Sequence, residues 1–251
     1  MNASELLTSA VRNNAQWCDR IAASHGGAGQ FDADCWWTTA QAQRFYPNAV
    51  TLRAAGTTRQ LRTIEALSAA PPAPTFAIKD SFACLELRGL GFAPLFDATW
   101  YVLEPIRGGG ATRRVTMHRV HDAVSFEAWR HAWCGGDTTA GQVFVESLLR
   151  DSDVAFVAGE QQGRIVCGAA LFRGSGVVSI SNLFSDARER TAELIRFAHE
   201  TTAGAPLVGY GDAAELSSLS TAAPRPLGPL RVWQRRSGES GGSGESSEQA
   251  T

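Results

Sequence analysis

The chain has 251 residues, 44% of them hydrophobic, and a formal net charge of −2. That apolar content suffices for a buried core and excludes wholesale disorder, while the near-neutral balance offers no general attraction for nucleic acid. No apolar run approaches the roughly 20 residues needed to span a bilayer, and Met1 to Arg12 lacks a basic segment followed by an apolar one, so no membrane anchor or signal peptide is expected and the expected compartment is the cytoplasm.

Among 23 basic residues only Lys79 is lysine, which with abundant Ala and Gly points to a GC-rich bacterial genome. The five cysteines (Cys18, Cys35, Cys84, Cys134, Cys167) are odd in number and form no Cys-x-x-Cys pair, so buried free thiols are expected. The first half carries a dense aromatic stretch, Cys35-Trp36-Trp37 and Phe45-Tyr46-Pro47, expected to pack that half or line a pocket between halves. Ala73-Pro74-x5-Asp80 then recurs as Ala205-Pro206-x5-Asp212, and Pro94-Leu95 as Pro226-Leu227, at a constant offset of 132. The echo closes on Trp100 and Trp233, where the offset slips to 133. A strand, a short helix and a second strand ending in tryptophan therefore recur, implying two copies of one small fold. Asp80 and Asp212 read as helix N-caps, Trp100 and Trp233 as core residues. Lys79 aligns with Gly211; an ordinary ion pair or a surface lysine is the expected role, and Schiff-base or acid–base chemistry the alternative.

Arg107 to Arg114, with three consecutive glycines, has linker composition. After it, Val115 to Val120 alternates as a strand, and Asp122 or Ser125 can cap a helix with Phe126, Trp129 and Trp133 on one face. Three apolar runs follow, Val154 to Gly159, Arg164 to Phe172 and Val177 to Phe184, joined by short Gly-containing turns in the manner of an antiparallel meander. Thr191 to Thr201 reads as a helix, Pro206 to Tyr210 as a buried strand, Asp212 to Ser220 as a helix and Leu227 to Trp233 as a strand. Ser237 to Thr251 is Ser, Gly, Glu and Gln-rich, a disordered acidic tail. His118, His121, His131 and Cys134 have no metal-ligand spacing, and no metal is expected.

The order strand, helix, meander, helix, strand, helix, strand resembles the GNAT acyltransferase fold. Val154-Ala-Phe-Val-Ala-Gly-Glu-Gln-Gln-Gly-Arg-Ile-Val-Cys-Gly-Ala-Ala170 looks like the hairpin that opens many GNAT sheets, and Pro226 to Trp233 is similar to the closing segment of actinobacterial relatives. The resemblance implies an α/β (α+β) fold of two tandem GNAT-like domains, each a mixed, mostly antiparallel sheet flanked by helices. The expected division is an N-terminal diverged or truncated copy in 1–106, a linker in 107–114, a C-terminal copy in 115–236 and a tail in 237–251.

It further implies acetyl-CoA as cosubstrate, bound where the fourth and fifth strands splay, with its pyrophosphate on the N-terminus of the next helix. On this chain the residues so implied are Asn182, Leu183, Phe184, Ser185, Arg188, Arg190 and Thr191. Here the sequence departs from the family, because Ser185 to Thr191 contains no glycine. Asp186 and Glu189 resemble a capping box that would occupy the helix N–H groups, and Arg188 and Arg190 fall on an expected solvated face. The family's tyrosine acid is missing from Ala213 to Ser220, leaving Tyr210, Ser181 and Asp212 as catalytic candidates. The expected activity is acetyl transfer from acetyl-CoA to a small amine; the alternative is an inactive GNAT-fold binding or regulatory protein. Neither nucleic acid nor membrane is an expected partner, and the chain is expected as a monomer, or a homodimer through an exposed sheet edge.

Overall fold

The computed structural model describes residues 1–69, 76–106 and 115–235. The expected linker and acidic tail, and the Ala73-Pro74 pair opening the first echo, lie outside these residues.

The chain opens on α1 (Ala3–Ser24), whose N-cap Asn2 and Glu5 form a reciprocal capping box. Its buried face carries Leu6, Ala10, Val11, Trp17, Cys18 and Ile21 at helical spacing, with Asn13 and Asn14 buried beside them. Three short strands follow, β1 (Gly29–Phe31), β2 (Cys35–Thr38) and β3 (Ala49–Thr51), then α2 (Thr57–Ser68), β4 (Ala77–Asp80) and the long β5 (Phe92–Leu103). The second half contains β6 (Thr116–Val120), α3 (Ala123–Cys134), α4 (Thr138–Gly141), β7 (Val154–Gln161), β8 (Arg164–Gly174), β9 (Val177–Ser185), α5 (Arg188–Thr201), β10 (Leu207–Gly211), α6 (Ala213–Ser218) and β11 (Arg225–Arg235).

The second-half elements fall where the sequence places them. The reason is local: Gln162-Gly163 and Ser175-Gly176 all have positive φ, as the tightest hairpin turns require, and they connect β7 to β8 and β8 to β9. Asp122 caps α3 by accepting from the Val124 and Ser125 N–H groups. Asp212 caps α6 in a full capping box with Glu215. Asp80 does not follow suit. No α-helix follows β4; the Asp80 carboxylate accepts from the Phe82 and Leu85 N–H groups (3.4 and 2.8 Å) and so holds a tight turn. The expectation of buried thiols holds for Cys18, Cys35 and Cys167, whereas Cys84 is exposed and Cys134 partly so.

The strands of the described residues form one sheet, in the order β1-β2-β3-β4-β11-β5-β10-β9-β8-β7-β6. The sheet is mostly antiparallel, with two parallel pairs, β3–β4 and β9–β10. The expected two sheets are thus joined, because the closing strands are exchanged. β5 lies beside β10, and β11 lies beside β4. Moreover, the β5–β11 register maps onto itself when 132 is added to each β5 number. Ala98 opposes Leu230, its own counterpart, and Thr99–Pro229 exchanges with Asp97–Arg231. The ladder skips Leu95 and Leu227, one bulge beside each proline of the repeated Pro-Leu pair, where a missing N–H makes a regular ladder impossible.

This register corrects the ending of the echo. Trp100 packs with Val102 and Val232 on the face covered by α1, whereas Trp233 packs with Ile64 and Ile78 on the opposite face under α2. Both tryptophans are buried, as expected. A one-residue slip reverses the face, so the counterparts of Trp100 and Trp233 are Val232 and Tyr101.

α1 crosses both halves, packing on β8, β9 and β11. Asn13 Nδ2 ties it to the β8–β9 hairpin through the Phe172 and Gly174 carbonyls (3.1 and 3.0 Å). α3 shares this face with an aromatic core of Trp17, Phe126, Trp129, Phe144, Phe156 and Phe172. α5 covers the other face through Leu194, Ile195 and Ala198.

Candidate functional site

The parallel strands β9 and β10 pair only at Val178–Leu207 and Ser179–Val208. Beyond that point Ile180 to Ser185 leave β10, and a bulge on β9 turns them further. Phe184 opposes Gly168 and Ser181 opposes Ala170, so Asn182 and Leu183 share one β8 position. Asn182 sits at φ 53°, a left-handed conformation that asparagine tolerates better than most residues. A notch therefore opens between the strand ends, with free backbone groups along its β9 side.

The notch leads to the N-terminus of α5. Asp186 and Glu189 do not form the expected capping box. The N-cap is Ala187, which has no side chain able to accept, and no side chain caps the helix. Asp186 instead pairs with Arg190 one turn on. Its own N–H donates to the Val166 carbonyl at 3.3 Å. Arg190 also donates to Gln161 Oε1 at 2.7 Å, so it is tied down rather than solvated, while Arg188 is exposed as expected. Ser185 Oγ donates to the Ala187 carbonyl (2.7 Å), and buried Thr191 Oγ1 turns back to the same carbonyl (3.4 Å). The first-turn N–H groups thus remain open, a local positive end available to an anion.

The equivalent helix of the first half differs. The N-cap of α2 is Gly56, and a Cβ placed there would lie 2.7 Å from Asp34 Oδ1. This buried carboxylate, flanked by Arg53 and Arg59 at 3.7 and 3.8 Å, brings a fixed negative charge to that helix end. The α5 start carries carboxylates too, Asp186 paired with Arg190 and exposed Glu189, but neither caps the helix.

The catalytic candidates separate. Asp212 is spent on the α6 cap, accepting from the Glu215 N–H at 2.9 Å. Ser181 and Tyr210 lie on the α1 face of β9 and β10, each beyond the last residue at which these strands pair. Ser181 opposes Ala170 of the aromatic core, and Tyr210 packs beside Trp100, their rings 5.1 Å apart. Ser181 Oγ is buried without a hydrogen-bond partner. Tyr210 OH accepts from Lys79 Nζ at 2.9 Å, and the same ammonium donates to Asn14 Oδ1 at 2.8 Å. Lys79 is 3% exposed and forms no ion pair among the described residues. Nearby acidic protons are held firmly. Burial pushes the Cys18 thiol up to about 11, against a smaller opposing pull from Lys79, and raises the Tyr46 and Tyr101 hydroxyls well above the ordinary tyrosine range. Burial also pushes Cys167, opposite Ser185, up to about 11, so no thiolate is at hand.

The contact between Lys79 and Asn14 is not legible in the sequence, since it joins residues 65 apart. The one available signal is that Lys79 is the single lysine. Among the described residues no group of three His, Cys, Asp or Glu side chains is placed to hold a metal ion.

No protein-family model matches the chain, and no curated protein does. Solved structures do. A conserved protein of unknown function from Staphylococcus epidermidis superposes with a TM-score of 0.64 at 13% identity, covering 83% of this chain and 94% of its own. A GCN5-related N-acetyltransferase from Kribbella flavida gives 0.59 at 15% identity, covering 88% and 96%. A putative GNAT-family acetyltransferase from Novosphingobium aromaticivorans gives 0.54 at 10% identity, again covering 88% and 96%. The likeness is one of fold: a mixed, mostly antiparallel sheet flanked by helices, as in GNAT acetyltransferases.

Proposed function

We propose that this chain is an acyl-CoA-dependent N-acyltransferase that moves an acetyl group to a small amine. In this reading it is built from two copies of one unit joined near residues 107–114, with acyl-CoA taken by the C-terminal copy. The observation that carries the reading is the β9–β10 notch ending at the uncapped start of α5. A pantetheine chain has free β9 backbone groups to pair with from Ile180 to Ser185, and a pyrophosphate has the first-turn N–H groups of α5. Arg188, exposed beside that turn, adds a positive charge. What the site lacks is a glycine, so Cβ atoms at Ser185, Asp186 and Ala187 set how near phosphate oxygens can come.

Chemistry follows from what lines the notch. The amine nitrogen attacks the thioester carbonyl, a C–N bond forms, the C–S bond breaks, and the thiolate takes a proton. In this reading Tyr210 of β10 gives that proton, and recovers one from the nitrogen that has become an amide. Neither β9 nor β10 contains a carboxylate or imidazole, so the amine must arrive neutral. Asp186 and Glu189 at the α5 start favour the second reading, a GNAT-fold binding protein without turnover, because their charges oppose a pyrophosphate.

Calorimetric titration of the full chain with acetyl-CoA tests the proposal. Micromolar binding, lost in Ser185→Glu, is the expected result. No binding at millimolar concentration overturns it. Binding without CoA release across a panel of amines selects the second reading.

A further inference from the structure

The β4–β11 and β10–β5 registers place Lys79 opposite Val232 and Tyr210 opposite Trp100. Since Val232 and Trp100 are counterparts in the β5–β11 ladder, Lys79 and Tyr210 are counterparts as well. Both side chains lie on the α1 face, and they meet above the centre of the exchanged strands, with Lys79 Nζ 4.2 Å from the Tyr210 ring centroid. The echo, which aligns Lys79 with Gly211, is out of step here by one residue.

We propose that Lys79 is a positioning residue for Tyr210: supplied by the N-terminal half, it fixes the polarity of the Tyr210 hydroxyl so that the phenolic proton is left for a ligand. The proposal rests on the acyl-transfer reading for its catalytic consequence, but not for the hydrogen bond itself. An ammonium has three donors and no acceptor. Tyr210 oxygen must therefore accept from Lys79, and its own proton must turn elsewhere. No protein acceptor takes that proton among the described residues, and Tyr210 is only half-buried, where β9 and β10 have parted. Lys79 is held in turn by Asn14 of α1. The other groups facing the pair, Cys18 of α1 and Tyr46, remain protonated, so neither can compete as an anion for the ammonium. A buried cation retained with only neutral partners is costly unless each bond is well made. Proton delivery to the thiolate would thus depend on both halves of the chain.

The chain has three tyrosines, so ¹³Cζ-tyrosine labelling resolves Tyr46, Tyr101 and Tyr210, with Tyr210 assigned by its loss in Tyr210→Phe. Lys79→Met should move the Tyr210 resonance, leave Tyr101 in place, and be reversed in Lys79→Arg, which keeps the donor. CoA release from acetyl-CoA, with water or benzylamine as acceptor, should fall about a hundredfold in Tyr210→Phe and about tenfold in Lys79→Met. Acetyl-CoA affinity should be unchanged, and the double variant should be no worse than Tyr210→Phe. If Lys79→Met does not fold, Asn14→Ala, which removes the partner holding Lys79, carries the same measurements, with Lys79→Arg as the control that keeps the donor. An unmoved Tyr210 resonance, or losses that simply add, overturns the proposal. Wild-type protein that releases no CoA sinks the acyl-transfer reading alone, and the resonance then decides the role of Lys79.

Discussion

Replacing Ala187 by aspartate should raise the stability of the free protein while weakening acetyl-CoA binding. Ala187 is the N-cap of α5 with φ −153° and ψ 144°, the extended conformation from which a capping carboxylate reaches the N–H groups two and three residues on. Supplying that carboxylate should add about 1 kcal/mol, or about 2–4 °C in Tm for a domain of this size. The same carboxylate would occupy the proposed pyrophosphate site. One charge about 5 Å from another costs about 3 kcal/mol at an effective dielectric of about 20. Exposure and salt reduce this to about 1–2 kcal/mol, roughly a five- to thirtyfold rise in Kd. Ala187→Asn separates the two effects, since it caps equally well without charge. Thermal unfolding and calorimetric titration of the three proteins provide the measurement. A higher Tm with unchanged affinity would refute the placement of pyrophosphate on α5. An unchanged Tm would refute the inference that this helix start is open.

Three further outcomes follow from the packing. Gly168→Ala would bring a Cβ within 2.6 Å of Trp129 Nε1 and 2.7 Å of the Phe184 ring, and should cost about 1–3 kcal/mol in denaturant unfolding; a neutral result would mean that the aromatic core can yield there. Asp212→Ala should cost about 1 kcal/mol by removing the α6 cap, yet leave any CoA release intact, because this carboxylate is spent on the Glu215 N–H. In thiol labelling, Cys18, Cys35 and Cys167 should react only after unfolding. Exposed Cys84 should react slowly at neutral pH and faster as pH rises toward about 11, where burial and then the Asp80 charge have pushed its thiol. Rapid labelling of Cys84 at pH 7 would contradict this.

The second half of the fold was legible because its signals are short-range. Gly163 and Gly176 mark the two hairpin turns, Asp122 and Asp212 cap the helices they precede, and Phe126 and Trp129 share a helical face. α1 carries the same kind of short-range signal, an Asn2–Glu5 capping box and an apolar stripe at helical spacing, although it was not among the expected elements. The local logic failed at the α5 start, where the Asp186–Glu189 spacing is right for a capping box. There Asp186 is drawn into the β8 ladder through its N–H and pairs with Arg190, so the helix begins one residue later.

Residue spacing suggested a repeat, but its offset is out of step with the register of the assembled sheet. A strand is read the same way whichever partner it joins, so β5 and β11 give no sign in sequence that each will close the other half. Only the assembled sheet decides this, since exchange depends on which edges are free and on pairs far apart along the chain. The face that each side chain presents changes with a single residue of register, which is why Trp100 and Trp233 part company while Lys79 and Tyr210, 131 residues apart, meet. Turns, caps and helix faces are settled within a few residues and can be read locally. The notch, the open helix end and the lysine–tyrosine contact are long-range pairings that exist only once the chain has folded.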